Sequence, residues 1–174
     1  MALPQGGMVN NGPANVYLGL GANLGDREKN LRMALDLVSH RLRLIKQSSL
    51  YDTAPIGDTK QPRFLNMACQ VSTMLPPPAL LTLLQGFESM LGRAPKSSGA
   101  PRPLDIDILL YGDLHFTSPD LIIPHPKMAE REFVLAPLAE IAPDVVHPVL
   151  KKAIKELLAP LSRTQDVVKM GKLE

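Results

Sequence analysis

The chain has 174 residues, of which 45 % are hydrophobic and 21 % are charged, the composition of one globular domain with a sizeable core. A net charge of +2 and an aromatic content of 4 % argue against a nucleic-acid-binding surface, which needs strong basic patches and stacking side chains. The sequence contains no run of about 18 apolar residues, so it predicts no transmembrane helix and no membrane partner. The single cysteine, Cys69, excludes an intrachain disulfide and favours a reducing compartment, the cytoplasm, with the thiol buried as a small hydrophobic group.

Hydrophobic periodicity and turn residues predict six elements in the first two thirds of the chain. The predictions are a strand at 15–20, a helix from Arg27 capped by Asp26, strands at 42–51 and 64–73, a helix entered at 76–78 and ended by Gly92, and a strand at 104–111. Residues 1–14 are predicted to be a disordered leader, and residues 15–174 a single domain.

The predicted order of strand, helix, strand, strand, helix, strand is that of a ferredoxin-like fold. The expected class is therefore α+β, with a βαββαβ core and with extra C-terminal helices and short strands. The tail predicts a hairpin after Gly112, short helices near 131–141 and a helix at 151–161.

Two aspartates, Asp105 and Asp107, interrupt an otherwise apolar segment that reads PLDIDILLYG. In a strand their side chains point to one face, with Cα atoms about 7 Å apart. The opposite, core-facing side then holds Leu104, Ile106, Ile108 and Leu110. The pair is either a solvated strand face or a site for a hard cation, and Mg²⁺ with a phosphate ligand suits two carboxylates. Because aspartate is disfavoured in strands, the cation site is the better interpretation.

Basic and imidazole side chains surround this pair along the chain: Arg93, Lys96, Arg102, His125 and Arg131. Taken alone, each of these cations is as consistent with a solvated loop charge as with a phosphate ligand. His125 in IPHP is likewise as consistent with a cap on local backbone as with a hydrogen-bond donor to phosphate. Together with the aspartates they predict a phosphate site with guanidinium clamps.

Two phosphate-binding motifs are absent from the sequence. The stretch GLGANLG from Gly19 to Gly25 is one residue too long for the dinucleotide fingerprint, so its glycines indicate a turn and close packing. No GxxxxGK[ST] occurs, so any ATP depends on dispersed cations and metal.

An aromatic ring and an amide, Phe64 and Asn66, share one face of the third predicted strand. They read either as core and sheet-edge residues or as one wall of a site for a flat, polar heterocycle. Phe133 is the candidate for the opposite wall.

The chain resembles the 6-hydroxymethyl-7,8-dihydropterin pyrophosphokinases of folate biosynthesis. The residues that carry the resemblance are YLGLGANLGD, SSLYDTAPIG, QPRFLNMA, PRPLDIDILLYG and IPHPKMAEREFVLAPLAEIAP, which together span residues 17–143. The resemblance implies transfer of the β,γ-pyrophosphate of ATP to the pterin hydroxymethyl group, with release of AMP.

The resemblance also implies residue roles. It assigns two Mg²⁺ ions to Asp105 and Asp107, and catalysis to these two with Arg93 and Arg102. Around ATP it places Gln85, Glu88, Arg93, Arg102, Ile108, Leu121, His125 and Arg131. Around the pterin it places Thr53, Ala54, Pro55, Ile56, Phe64, Asn66 and Phe133. The expected partners are small-molecule substrates, with the protein a monomer.

The sequence departs from the family pattern before the fourth strand, where KSSGAPR replaces a segment often written R-W-G-P-R. Pro126 and Asp120 likewise stand where members of the family often have an aromatic residue and an arginine. The competing interpretation is a non-catalytic ferredoxin-like module that binds a nucleotide or RNA. Its RNA-binding form needs aromatic side chains on the central strands, where this chain has two aspartates.

Overall fold

A computed structural model describes residues 12–57, 60–93 and 100–173. Its strands are β1 (Ala14–Ala22), β2 (Arg43–Gln47), β3 (Leu50–Thr53), β4 (Phe64–Thr73), β5 (Asp105–Tyr111), β6 (Phe116–Thr117), β7 (Ile122–Ile123) and β8 (Val167–Gly171). Its helices are α1 (Arg27–Arg41), α2 (Pro77–Met90), α3 (Glu132–Ile141) and α4 (Ile154–Leu158), with 3-10 turns at Met128–Glu130 and Ala159–Leu161.

The main sheet within the described residues is antiparallel, in the order β5-β1-β4-β3-β8, and β2 also pairs with β4. When β2 and β3 are counted as one core strand, the core strands lie across the sheet in the order 4-1-3-2, which is that of a ferredoxin-like core. Strand β8 is added at one edge. The α+β prediction is thereby confirmed.

Helix α1 begins where the sequence predicts it. The Asp26 carboxylate accepts a hydrogen bond from the Lys29 backbone N–H at 3.1 Å, which satisfies one of the free donors of the first turn. The buried residues of α1 are the predicted stripe of Leu31, Ala34, Leu35 and Val38.

The sheet is covered on both faces. Helices α1 and α2 pack against Val16, Leu18, Leu20 and their neighbours on one face. On the other face, α3 and α4 form a second core with Tyr17, Ala68, Leu109 and Leu110. Only one face of the sheet was predicted from the sequence to be core, so the layer that encloses the aspartates was not predicted.

The predicted core face of β5 is correct for Leu104, Ile106 and Ile108 but wrong for Leu110, which belongs to the second core. The pairing of β1 with β5 shifts register between Tyr17 and Leu18, so that Leu109 is inserted as a bulge. A bulge adds one residue and thereby reverses the alternation beyond it.

Other predictions needed correction at element boundaries. The single strand predicted at 42–51 is interrupted at Ser48 and Ser49, and its second half, β3, runs on to Thr53. The helix predicted at 151–161 starts at Ile154, because Lys151 has a left-handed φ of 59° and the N-cap Ala153 has extended backbone, and it gives way to a 3-10 turn after Leu158. β6 and β7 form the predicted hairpin after Gly112, whereas β8 was not predicted. Residues 1–11 of the predicted leader lie outside the described residues, and Ala14 already belongs to β1; the single domain at 15–174 stays a prediction.

Candidate active site

The site is built around the two aspartates at the start of β5. Asp105 and Asp107 lie on the sheet face that α3 covers, while Ile106 between them is buried against the opposite core. The strand alternation inferred from the sequence therefore holds at this point.

Asp105 lies between two guanidinium groups. One oxygen accepts from Arg93 Nη1 at 2.8 Å, and the other accepts from Arg102 Nε at 3.2 Å. Arg93 also pairs with Glu88, a buried carboxylate whose Oε2 accepts the Ile106 backbone N–H at 3.2 Å. These charges fix the start of β5 against the C-terminal end of α2.

Asp107 has no salt bridge to any described residue. Burial raises its pKa to about 7, and the nearby carboxylates of Asp105 and Glu88 add to the shift, which Arg131 and Arg93 oppose. Three carboxylates thus converge on a place where negative charge is costly. A divalent cation would relieve this cost and favour the ionised forms.

A pocket with two aromatic residues lies on one side of the pair, and we call it the aromatic pocket. Its lining includes Thr53, Ala54, Pro55, Ile56, Phe64, Asn66, Arg102, Asp105, Asp107, Arg131 and Phe133. All seven residues predicted to contact a pterin lie here. The Arg102 guanidinium carbon is 5.2 Å from the centre of the Phe64 ring, and that of Arg131 is 5.6 Å from the Phe133 ring.

Asn66 is held rigidly in this pocket. It is buried, and its Nδ2 donates to Thr53 Oγ1 at 2.8 Å. A Cβ placed on Gly21 would lie 2.5 Å from Asn66 Oδ1, so the backbone of β1 can approach only because residue 21 is glycine. This explains one glycine of the GLGANLG stretch by close packing.

A second pocket, the polar pocket, lies on the other side of the aspartates. Its lining includes Gln85, Glu88, Arg93, Asp105, Asp107, Ile108, Asp120, Leu121, His125 and Pro126. Because Asp105 and Asp107 line both pockets, a metal ion held by them would contact a ligand in either one.

Most residues predicted for ATP line the polar pocket, but Arg102 and Arg131 instead line the aromatic pocket. Lys96 lies outside the described residues. His125 caps local backbone, as one interpretation of the sequence expects, and its role at phosphate stays a prediction. Its Nδ1 accepts the Lys127 backbone N–H at 3.2 Å, its side chain lines the polar pocket, and burial followed by the charge of Arg131 lowers its pKa.

Asn23, which is buried beside the site, was not predicted from the sequence. Its Nδ2 donates to Gln61 Oε1 at 3.0 Å and to the Pro62 carbonyl at 3.2 Å, and its Oδ1 accepts the Arg102 backbone N–H at 2.8 Å. It therefore ties the segment before Phe64 to the segment before β5. A lone asparagine after a glycine-rich strand carries no local signal for such a role.

No group of three or more His, Cys, Asp or Glu side chains among residues 12–57, 60–93 and 100–173 is arranged to hold a metal ion. A cation bound to two aspartates would complete its shell with water and substrate oxygens, which is the usual arrangement for Mg²⁺. Across the same residues, no helix has the length and apolar content needed to cross a bilayer.

Sequence comparison bears on what this site does. The 7,8-dihydro-6-hydroxymethylpterin-pyrophosphokinase (HPPK) family matches residues 17–143. The 2-amino-4-hydroxy-6-hydroxymethyldihydropteridine pyrophosphokinase of Bacillus subtilis (strain 168) is 47 % identical over 131 residues, which cover 74 % of this chain and 78 % of that protein. The enzyme of the same name from Aquifex aeolicus (strain VF5) is 39 % identical over 143 residues, which cover 82 % of this chain and 89 % of that protein.

Structural comparison agrees on the fold. The crystal structure of Plasmodium falciparum HPPK-DHPS A437G with SDX-DHP superposes with a TM-score of 0.74 at 18 % identity. The match covers 88 % of this chain and 46 % of the solved one, so the present chain corresponds to about half of that protein. These findings do not favour the non-catalytic binding module. The chain belongs to the 7,8-dihydro-6-hydroxymethylpterin-pyrophosphokinase family, the ATP-dependent diphosphotransferases of folate synthesis.

Proposed function

We propose that the aromatic pocket binds the hydroxymethyl dihydropterin, that the polar pocket binds ATP, and that Asp105 and Asp107 serve both substrates from the boundary between them. The observation that carries this assignment is that the two aspartates line both pockets. The aromatic pocket offers two rings and a buried amide for a flat heterocycle. The polar pocket offers Arg93 and His125 for phosphate oxygens.

The residues at the boundary fit Mg²⁺. Two aspartates supply oxygen ligands, and Asp107 is a carboxylate without a salt bridge to any described residue, in surroundings that disfavour negative charge despite the nearby Arg131 and Arg93. Two ions held by Asp105 and Asp107 would neutralise phosphate charge and polarise the phosphorus under attack. Because the arginines already bind Asp105, we propose that Arg93 and Arg102 transfer part of their hydrogen bonding to the incoming phosphates.

The reaction needs alignment more than proton transfer. The hydroxymethyl oxygen forms a bond to the β-phosphorus, the bond from that phosphorus to the oxygen of the α-phosphate breaks, and AMP leaves. The alcohol proton passes to solvent, and we assign no protein group as its base. Holding both substrates against one aspartate pair makes the step effectively unimolecular.

We further propose that the chain acts as a monomer in the cytoplasm, a reducing compartment. Cys69 is fully buried and burial raises the pKa of its thiol to about 12, which suits an inert core group. Sedimentation that shows a stable dimer would contradict the monomer.

The test is to supply ATP and Mg²⁺ with and without the hydroxymethyl dihydropterin, and to quantify nucleotide products. We expect AMP in an amount equal to the pterin consumed, and no AMP without pterin. Production of ADP or free phosphate instead would contradict the assignment. A calorimetric titration with pterin, with and without a non-hydrolysable ATP analogue, tests whether the two pockets bind separately.

A further inference from the structure

A loop of residues 163–166 lies outside the family-matched residues 17–143. None of its four residues lines the aromatic or the polar pocket. It nevertheless makes hydrogen bonds to residues directly beside both walls of the aromatic pocket. We call it the C-terminal loop.

One set of bonds joins the C-terminal loop to α3. Glu132 is 4 % exposed, and its carboxylate accepts the backbone N–H groups of Arg163 at 2.7 Å, Thr164 at 3.2 Å and Gln165 at 2.8 Å. The Gln165 side chain returns two bonds, accepting the Glu132 N–H at 2.9 Å and donating to the Glu130 carbonyl at 3.0 Å. These three N–H donors satisfy the buried carboxylate of Glu132 in this arrangement.

Glu132 is the first residue of α3 and lies between Arg131 and Phe133, both of which line the aromatic pocket, as does Val134 of the same helix. Fixing the backbone of Glu132 therefore fixes the start of the helix from which the Phe133 ring projects. The loop in turn depends on Glu132, because Arg163 and Asp166 hold left-handed φ angles of 65° and 54°. Non-glycine residues keep such angles only where the surroundings hold them.

The second set of bonds joins the same loop to the opposite wall. The Asp166 carbonyl accepts the Ala54 N–H at 3.1 Å, and its carboxylate accepts from Arg63 at 2.7 and 3.3 Å. Arg63 also binds the Asp52 side chain and, at 3.3 Å, the Asp52 carbonyl. Asp166 thus holds Ala54, which lines the pocket, and Arg63, which directly precedes Phe64.

We propose that the C-terminal loop is a positioning element for the pterin pocket. Through its bonds to Glu132 and through Asp166, it sets the distance between the wall that carries Phe133 and the wall that carries Phe64, without lining the pocket itself. The proposal rests on the proposed function of the aromatic pocket. It assigns no substrate contact to the loop. The polar pocket receives neither set of bonds, so the effect is specific to the pterin.

The experiment measures the affinity of Glu132→Gln for the hydroxymethyl dihydropterin and, separately, for a non-hydrolysable ATP analogue with Mg²⁺. Glutamine would point an NH₂ group at backbone donors. We expect the pterin Kd and KM to rise about tenfold while the analogue Kd stays within about twofold, and kcat at saturating pterin to be retained. Glu130→Gln, an exposed carboxylate two residues earlier, is the matched control and should behave as the original chain.

Equal losses for both ligands, or a lower melting temperature with unchanged pterin affinity, would show that Glu132 is only structural and overturn the proposal. If Glu132→Gln fails to fold, Asp166→Asn tests the proposal instead, because it changes only an exposed side chain that forms an ion pair with Arg63. We expect Asp166→Asn to weaken pterin binding about threefold; unchanged affinity contradicts the proposal.

Phe64→Ala separates this proposal from the proposed function. If the original chain does not bind the pterin, or if Phe64→Ala binds it equally well, the assignment of the aromatic pocket fails. If Phe64→Ala weakens pterin binding while the Glu132 and Asp166 variants do not, only the positioning role of the C-terminal loop fails.

Discussion

Among single residues, Asp107 is the most sensitive point of the proposed chemistry. It has no salt bridge within the described residues, and its pKa is raised to about 7 by burial and by the carboxylates of Asp105 and Glu88. Such an unfavourable site persists where function requires it. The guanidinium groups of Arg93 and Arg102 are instead committed to Asp105.

We predict that Asp107→Asn lowers kcat on the order of a thousandfold or more, as loss of a central electrostatic group does. Thermal unfolding should occur at or above the original temperature, because a neutral amide removes charge repulsion. Asp113→Asn, an identical change in an exposed turn, should retain full turnover. Turnover of Asp107→Asn equal to that of the original chain would remove the metal site from the proposal.

At the scale of elements, strand β1 shapes the aromatic pocket because it has glycine, with no side chain, at residue 21. Gly21 faces Asn66, whose Oδ1 would lie 2.5 Å from an added Cβ, whereas an added Cβ on Gly19 would lie at an ordinary 3.5 Å from Leu109. Asn66 cannot withdraw freely, because its amide is bonded to Thr53. The two glycines therefore form a matched pair for mutation.

We predict that Gly21→Ala displaces Asn66 and raises the pterin Kd about tenfold, with the affinity for an ATP analogue retained. Gly19→Ala should leave both affinities within about twofold. Titration of each variant with both ligands checks this. Similar pterin affinities for the two variants would show that Asn66 does not need its present position.

At the scale of the whole molecule, Glu140 joins α3 to the far edge of the sheet. Its carboxylate accepts the Ser49 N–H at 2.8 Å, the Ser49 hydroxyl at 2.6 Å and the Tyr51 hydroxyl at 3.1 Å, and it pairs with Lys169 of β8 at 3.3 Å. Burial alone would raise the pKa of Glu140, but these hydrogen bonds outweigh it and hold the pKa below its ordinary value. The ionised form is therefore stabilised by folding.

This shift has a defined consequence for stability. A carboxylate with a lowered pKa in the folded state contributes above its unfolded pKa, near 4.5, and loses that contribution as the pH falls below it. We predict that Glu140→Gln lowers the free energy of unfolding by about 1–3 kcal/mol at pH 7. The difference from the original chain should shrink when urea unfolding is repeated at pH 3.

The matched control for Glu140→Gln is Glu28→Gln, which removes only an exposed ion pair with Arg32 on α1. Such pairs contribute about 0–1 kcal/mol. An acid dependence of Glu140→Gln identical to that of the original chain would show that Glu140 does not carry this stability.

Much of the fold was predictable because its signals are local. The cap at Asp26, the apolar stripe of α1 and the alternation around Asp105 and Asp107 each depend on residues a few positions apart. The walls of the aromatic pocket were assigned through resemblance, since Phe64 and Asn66 alone favour a core ring and a sheet-edge amide. The bulge at Leu109 and the break at Ser48 and Ser49 had no such signal, because they depend on partners in other strands.

By itself, the sequence determined the order of the ferredoxin-like elements and the acidic pair on one face of the fourth core strand. Only the tertiary structure decided that a second helical layer encloses that face, that Arg102 and Arg131 lie over aromatic rings, that β8 extends the sheet, and that the C-terminal loop is hydrogen-bonded to Glu132 and Ala54 at the aromatic pocket. The physical reason is range. Capping and side-chain alternation act between near neighbours in the chain, whereas the bonds from Ser49 to Glu140 and from Glu132 to Gln165 join residues separated by 91 and 33 positions, whose contact exists only once the layers have packed.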